Sequence, residues 1–290
     1  MARPTFLILG AQKAGTTWLA DMLRQHPEIC MPETKELHFF NKKANVAKGL
    51  AWYETHFADC DAPVRGEATP NYLWYPENPD EIEESGRIAD VPQLVHDTYP
   101  DLKFIVSLRD PVARAVSAYR TLIRGGFISP RMSILDAAHR HGILSMGDYQ
   151  THIERWFGCF PRSRFHFLIF EEDVKANRRE SLRAMFNFLN VDPSFVPNDI
   201  DTRKHPSLGA FYERLLYHAP WIKTLANAVA PNLNRDRIPF RSLLDREVVS
   251  DAERKQVAQH FEDKNTRLPE LIGRSPEWSR SPASPSTTAS

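Results

Sequence analysis

Short apolar runs alternate with amphipathic stretches along this chain of 290 residues. Residues 6–9 (FLIL), 102–108 (LKFIVSL) and 165–170 (FHFLIF) consist mainly of apolar side chains, which is typical of strands buried inside a sheet. Each run is followed by a turn or by charged residues and then by a helical pattern. This alternation predicts an α/β fold, in which helices flank a central parallel β-sheet.

The first two predicted helices, Thr16–Gln25 and Val112–Arg124, end before Pro27 and before Gly125, because proline and glycine stop helices. Between the predicted elements lie two long stretches rich in loop residues, 40–100 and 192–243, and loops of that length usually hold substrate or form lids. Residues 279–290 are small, polar or proline apart from one arginine, so we expect a disordered tail after a single domain of residues 1–278. The predicted helices are Thr16–Gln25, Val112–Arg124, Met146–Phe157, Arg178–Leu189 and Arg246–Leu268.

Composition and charge exclude several classes of protein. Hydrophobic residues make up 42% of the chain, and 37 basic residues balance 37 acidic ones, so nucleic acid is not an expected partner. The cysteines at 30, 60 and 159 form no metal-binding pattern and suggest no disulfide framework, which favours a reducing compartment. No signal peptide or membrane span of about 18 apolar residues is apparent. We therefore expect a cytoplasmic protein without an integral membrane segment and without a metal.

The first apolar run leads into a loop bounded by glycines. Gly10 and Gly15 have the spacing of a Walker-type phosphate loop, and the backbone N–H groups of such a loop bind anions together with the start of the following helix. Thr16 stands where a Walker loop carries lysine, and Lys13 lies inside the loop. The pattern predicts phosphate binding, with hydroxyl donors from Thr16 and Thr17, but not an ordinary ATPase. The alternative is a plain strand-to-helix turn.

A second motif, RDPVARAVS at 109–117, follows the second apolar run. Ligands of open parallel sheets bind beyond the carboxyl ends of the strands, so Arg109 should face the same crevice as the glycine loop. Its guanidinium suits a second phosphate, and Ser117 offers a hydroxyl from the predicted helix. The alternative is that Arg109 and Asp110 form an ion-paired helix cap.

A third motif, KELHFF at 35–40, contains two titratable residues beside two phenylalanines. A carboxylate near aromatic rings can have a raised pKa, so we expect the pKa of Glu36 to move from about 4.3 toward the range of a general base. His38 would orient or assist Glu36. The alternative is a solvated charge next to buried phenylalanines.

The three motifs, in this order, resemble the sulfotransferases that use 3'-phosphoadenosine-5'-phosphosulfate (PAPS), especially the branch of heparan sulfate and bacterial carbohydrate sulfotransferases. The resemblance covers most of the chain, including a similar closing segment at residues 260–278. It implies that Glu36 is the general base, that His38 supports it and that Lys13 stabilises the leaving oxygen. The cofactor-binding residues that it implies are Lys13, Ala14, Gly15, Thr16, Thr17, Trp18 (stacked on adenine), Arg109, Ser117, Arg203 and Lys204.

Two positions depart from the pattern of the resembled enzymes. Their glutamate-lysine-serine/threonine-proline segment is Glu67-Ala68-Thr69-Pro70 here, so a catalytic lysine is replaced by Ala68. The aspartate after the two phenylalanines is Asn41, and the balanced charge offers no obvious track for a long anionic acceptor.

The resemblance implies metal-free transfer of a sulfuryl group from PAPS to a hydroxyl or amine of a glycan, lipid or small-molecule acceptor, with release of adenosine 3',5'-bisphosphate. Two alternatives remain. A phosphotransferase with a P-loop would need a lysine beside the helix start and an acidic partner for Mg²⁺. A non-catalytic nucleotide-binding module would bind its ligand without using Glu36.

Overall fold

The computed structural model describes residues 3–76, 86–201 and 249–279. Its centre is a sheet of parallel strands in the order β2-β3-β1-β4-β5. The predicted α/β fold with a central parallel sheet and flanking helices is therefore confirmed. The strands are β1 (Phe6–Gly10), β2 (Ile29–Cys30), β3 (Val64–Ala68), β4 (Lys103–Leu108) and β5 (Phe165–Ile169).

Helices cover both faces of the sheet, which explains why β1 and most of β4 are apolar on both faces. Along β1, Leu7 and Leu9 pack on one face, and Phe6 and Ile8 pack on the other. The α-helices are α1 (Thr16–Leu23), α2 (Lys43–Val46), α3 (Leu50–Thr55), α4 (Val91–Thr98), α5 (Pro111–Arg124), α6 (Tyr149–Cys159), α7 (Arg178–Leu189), α8 (Asp251–Phe261) and α9 (Leu268–Ile272). Short 3₁₀ turns occupy Pro70–Tyr72, Ser145–Gly147, Arg162–Arg164 and Glu277–Ser279, and a π-helix spans Phe170–Ala176.

Helix ends follow from local side-chain chemistry. At the start of α5, the carboxylate of Asp110 accepts a hydrogen bond from the N–H of Ala113 at 2.7 Å. Ser250 and Glu253 form a reciprocal capping box that starts α8. The long helix predicted over 246–268 is wrong: the chain leaves the helix after Phe261 and begins α9 only at Leu268, with a proline in its first turn.

The region predicted as one long loop, residues 40–100, contains much regular structure. It holds β3 and the helices α2, α3 and α4. The sequence of β3, VRGEA, has too few apolar residues to be recognised as a strand, yet it lies between β1 and β2. Gly66 makes this possible, because a Cβ there would meet the ring of Phe6 at 2.4 Å.

A disulfide joins Cys30, at the end of β2, to Cys60, shortly before β3. The expectations of unpaired cysteines and of a reducing compartment are therefore wrong. A separation of 30 residues, without a recognisable spacing pattern, gave no signal that two of the three cysteines meet in the fold. The division into a domain of residues 1–278 and a tail stays a prediction, since residues 280–290 lie outside the described part of the chain.

Candidate active site

All five strands end at the same edge of the sheet, and the segments that follow them carry the predicted functional residues. The loop of residues 11–15 follows β1 and leads directly into α1. It is held from β4: Ala11 N–H donates to the Ser107 carbonyl at 2.6 Å, and Ser107 Oγ donates to the Ala14 carbonyl at 2.6 Å. The loop is thus fixed before any ligand arrives, as an anion-binding turn at a helix start requires.

Gly15 cannot be replaced by a larger residue without strain. Its φ of 83° lies in the left-handed region, and a Cβ would approach the ring of Phe170 to 2.9 Å. Without a side chain, Gly15 lets the π-helix after β5 pack directly against the start of α1.

Lys13 sits among like charges. Burial and the nearby positive charges of Arg124, Arg109 and Lys35 together lower its pKa from 10.5 to about 8, against the opposite effect of Glu36. A cation that is disfavoured by both burial and like charge gains most from a bound anion. The loop therefore has the electrostatics of an anion site, with Lys13 at its centre.

Arg109 follows β4 and braces the loop. Its Nη1 donates to the Lys13 carbonyl at 3.0 Å, its Nε lies 3.7 Å from Glu171, and its guanidinium lies 4.9 Å from the centre of the Phe170 ring. Ser117 is half-buried in the middle of α5, where its carbonyl accepts from Thr121 Oγ1. Binding of a second phosphate by Arg109 and Ser117 stays a prediction.

The segment KELHFF follows β2 and brings Glu36 next to the loop. Lys35 Nζ donates to Thr17 Oγ1 at 2.9 Å and to Glu36 Oε1 at 2.8 Å, so one ammonium group links the two parts of the site. His38 Nε2 lies 3.6 Å from Glu36 Oε2, and His38 Nδ1 lies 3.2 Å from Asn41 Oδ1. The structure thus brings together the three residues predicted to be catalytic.

The expected rise in the pKa of Glu36 is wrong. Its pKa is lowered to about 2, because the hydrogen bond with His38 and the contact with Lys35 outweigh the opposite effect of burial. The two phenylalanines that motivated the expectation point into the core instead, where Phe39 and Phe40 stack with Tyr53 and neighbouring rings. Glu36 is therefore a carboxylate at every physiological pH.

Two important residues were missed or left without a role by the sequence reasoning. The sequence motif predicts no role for Lys35, although its position directly before Glu36 is a usable signal. Glu67 is buried beneath the KELHFF segment, and burial raises its pKa against the effect of its hydrogen-bond donors. Ala68, which stands where the resembled enzymes have lysine, packs with Phe6 and Ile8 on the face of the sheet opposite to Glu67.

Trp18 is 9% exposed and lies in the apolar cluster under α1, with Nε1 donating to the Ile200 carbonyl at 3.3 Å. Its stacking on adenine stays a prediction. Arg203 and Lys204 lie outside the described residues.

Comparison with known proteins decides the family. The model of the sulfotransferase domain matches residues 3–208, which include the loop, the KELHFF segment and RDPVARAVS. The chain belongs to the sulfotransferase family. This result confirms the resemblance to PAPS-dependent sulfotransferases inferred from the three motifs.

Relatives of this sulfotransferase include heparan sulfate enzymes. Heparan sulfate glucosamine 3-O-sulfotransferase 6 of Homo sapiens is 32% identical over 175 residues, which is 57% of this chain and 46% of that protein. The bifunctional heparan sulfate N-deacetylase/N-sulfotransferase of Drosophila melanogaster is 30% identical over 66% of this chain and 20% of its own length. The chain thus spans about half or less of the length of these relatives.

A solved sulfotransferase from Alicyclobacillus acidocaldarius has the same fold as this chain. The two superpose with a TM-score of 0.66 at 25% identity, over 97% of this chain and 100% of that one. The fold assignment, over 97% of this chain, and the family assignment, over residues 3–208, therefore agree.

The predicted cytoplasmic location is wrong. The heparan sulfate relatives are enzymes of the Golgi lumen, and the Cys30–Cys60 disulfide is typical of an oxidising compartment. No helix in the described ranges is both long and apolar enough to cross a bilayer. Within the same ranges, histidine, cysteine and acidic side chains form no group of three that could hold a metal ion.

Proposed function

We propose that this sulfotransferase moves the sulfuryl group of PAPS to a hydroxyl or amine of a glycan. The observation that carries the proposal is the convergence of basic groups on Lys13, whose pKa of about 8 reflects burial together with Arg124, Arg109 and Lys35. A ligand with several anionic groups relieves this repulsion. A glycan acceptor is supported by the names of the relatives, which act on heparan sulfate.

The residues around the loop fit the phosphosulfate end of PAPS. The positive end of α1 and the amide of Gly15 offer hydrogen-bond donors, and the hydroxyls of Thr16 and Thr17 add two more, whereas the amide of Ala14 donates to the Ala11 carbonyl at 3.2 Å. When bound, PAPS supplies an activated sulfuryl group and leaves as adenosine 3',5'-bisphosphate. Lys13 then stabilises the negative charge that develops on the leaving oxygen.

The 3'-phosphate and the adenine require a second set of contacts. In this proposal, Arg109 exchanges its hydrogen bond with the Lys13 carbonyl for the 3'-phosphate, and Ser117 donates a hydroxyl. Trp18 contacts the adenine, and Arg203 and Lys204, which lie outside the described residues, are the further nucleotide-binding residues of this proposal.

Glu36 accepts the proton of the acceptor hydroxyl, because an alcohol is too weak an acid to ionise at neutral pH. A pKa of about 2 keeps the carboxylate ionised and able to accept, but makes it a weak base while Lys35 and His38 hold it. The sulfuryl oxygens of PAPS bound at the loop attract Lys35, which removes part of the lowering of the Glu36 pKa, while the larger effect of the hydrogen bond with His38 remains. His38, 3.6 Å from the same carboxylate, orients it or carries the proton onward.

The two alternatives are less well supported. A P-loop phosphotransferase needs its lysine at the start of α1, where Thr16 stands. A binding module without catalysis leaves unexplained why Glu36 and His38 are linked to the phosphate loop through Lys35.

The test has a binding arm and a transfer arm. Calorimetric titration with adenosine 3',5'-bisphosphate in EDTA, beside ATP with Mg²⁺, should show tight metal-free binding of the bisphosphate that Arg109→Ala weakens. Radiolabelled PAPS should then transfer its label to N-sulfated or unsulfated heparosan in the wild type but not in Glu36→Gln. Preference for ATP with Mg²⁺ would support the phosphotransferase, and binding without transfer to any glycan would contradict the proposed acceptor class.

A further inference from the structure

The backbone of the segment that carries Glu36 and His38 adopts an unusual conformation. Both residues have positive φ angles, 65° and 53°, on either side of Leu37. Residues other than glycine adopt this region only when surrounding groups hold them there. The geometry of the base therefore depends on whatever fixes residues 36–38.

Glu67, near the end of β3, lies directly beneath this segment. It is 1% exposed and its carboxylate accepts four hydrogen bonds. Oε2 accepts from the Leu37 N–H at 3.3 Å and from Thr69 Oγ1 at 2.7 Å, and Oε1 accepts from the hydroxyls of Tyr72 at 2.6 Å and Tyr53 at 3.1 Å. Four donors and no acceptor around a carboxyl group match its ionised form.

Two of these hydroxyls extend the reach of Glu67. His38 N–H donates to Thr69 Oγ1 at 3.3 Å, and Phe40 N–H donates to the Tyr72 hydroxyl at 3.4 Å. Both hydroxyls in turn donate a hydrogen bond to the carboxylate of Glu67. The backbone N–H groups of Leu37, His38 and Phe40 thus all lead to one buried carboxylate, directly or through one hydroxyl.

The carbonyls of the same segment are held from the other side. Asn45 Nδ2 donates to the Leu37 carbonyl at 3.1 Å and to the His38 carbonyl at 3.2 Å. The peptide group between Leu37 and His38 is therefore bound at both its carbonyl and its N–H end, and the peptide groups before and after it are each bound at one end.

We infer that Glu67 is a positioning residue for the reaction: through Thr69 and Tyr72 it fixes the backbone that aims Glu36 and His38 at the phosphate loop. The inference rests on the proposed function, in which Glu36 is the base. Glu67 does not touch the reacting groups, and it acts only through the segment above it.

The decisive variant is Glu67→Gln, which keeps the size of the side chain but replaces one accepting oxygen with a donor. We expect kcat for sulfuryl transfer to fall by about tenfold or more, since small misplacement of a catalytic group is costly. The KM for PAPS and the Kd for adenosine 3',5'-bisphosphate should stay within about twofold of the wild type, because the phosphate loop is separate. Amide hydrogen exchange, measured by NMR, should accelerate at Leu37, His38 and Phe40.

The matched control is Glu54→Gln. Glu54 is also a buried glutamate, 7% exposed, that accepts a tyrosine hydroxyl, that of Tyr99 at 2.9 Å, but it bonds to no part of the 36–40 segment in the described contacts. This variant should leave both kcat and the exchange rates of the segment unchanged. If Glu67→Gln does not fold, Thr69→Val removes one relay, and Thr69→Ser restores the hydroxyl and should restore kcat.

Each outcome decides the inference. A fall in kcat together with faster exchange supports it, and rescue by Thr69→Ser supports it further. Values of kcat and exchange within about twofold of those in Glu54→Gln would overturn it, and so would a change in only one of the two measurements. If the wild-type protein transfers to no acceptor, the proposed function fails, and the exchange rates alone then decide whether Glu67 holds the segment.

Discussion

Binding of adenosine 3',5'-bisphosphate should draw a proton onto Lys13. In the ligand-free protein the pKa of Lys13 is about 8, against an ordinary value of 10.5. At about 1.4 kcal/mol per unit of pKa, the charged form carries a cost of about 3 kcal/mol. A bound polyanion removes this cost and returns Lys13 to the charged state.

The change of bisphosphate affinity with pH follows from the lowered pKa of Lys13. Below pH 8 Lys13 is already charged, so affinity is at its full value and no proton is taken up. At pH 8 about half a proton should be taken up per site, and at pH 9 affinity should be about tenfold weaker than at pH 7. Stability of the ligand-free protein should change the opposite way, because the cost of the charge disappears as pH rises from 8 toward 10.5.

The assay is calorimetric titration at several pH values in buffers of different ionisation enthalpy, which separates proton uptake from intrinsic binding heat. Lys13→Arg is the control, since an arginine stays charged over this range and should remove the uptake above pH 7. Lys13 would already be fully charged at pH 8, and would take up no proton, only if burial and its neighbours did not lower its pKa. Zero proton uptake at pH 8 in the wild type, or equal uptake in Lys13→Arg, would refute the reasoning.

Three further outcomes are expected. Gly15→Ala should weaken bisphosphate binding by tenfold or more and lower stability by about 1 kcal/mol or more, as judged by calorimetry and urea unfolding, because φ is 83° and Phe170 lies 2.9 Å from the added Cβ. Glu36→Gln should reduce transfer by about 100-fold or more with bisphosphate affinity within about twofold, and a loss of affinity equal to the loss of rate would contradict its role as base. Reduction of the Cys30–Cys60 disulfide, which spans 30 residues, should cost about 3.6 kcal/mol in chemical unfolding, and unchanged unfolding after verified reduction would refute this.

The fold was predictable from strands whose side chains are buried on both faces. β1, β4 and β5 are recognisable in the sequence because most of their residues are apolar, and the loop after β1 has a recognisable glycine spacing. β3 was not predictable, because its apolar content is low and its place between β1 and β2 is set by tertiary packing. The disulfide was not predictable for the same reason, because the two cysteines meet only where β2 and β3 pair.

At the site, the residue types were predictable but their electrostatics were not. The motif gave Glu36 and His38 correctly as neighbours, yet the nearest groups to Glu36 are His38 and Lys35 rather than the aromatic rings, so the direction of its pKa was wrong. The role inferred for Glu67 likewise depends on four hydrogen bonds from separate parts of the chain, which no local pattern encodes.

The disulfide also has a consequence for how this enzyme can change. Cys30 and Cys60 close a covalent ring, and Glu36 and His38 lie inside it whereas the phosphate loop and Arg109 lie outside. The segment that carries the base therefore forms a loop between β2 and β3 whose two ends are covalently joined. Inside this ring, Lys35 also bonds to Thr17 at the start of α1, so the base is tied to the nucleotide side of the enzyme at a further point and cannot shift independently of it.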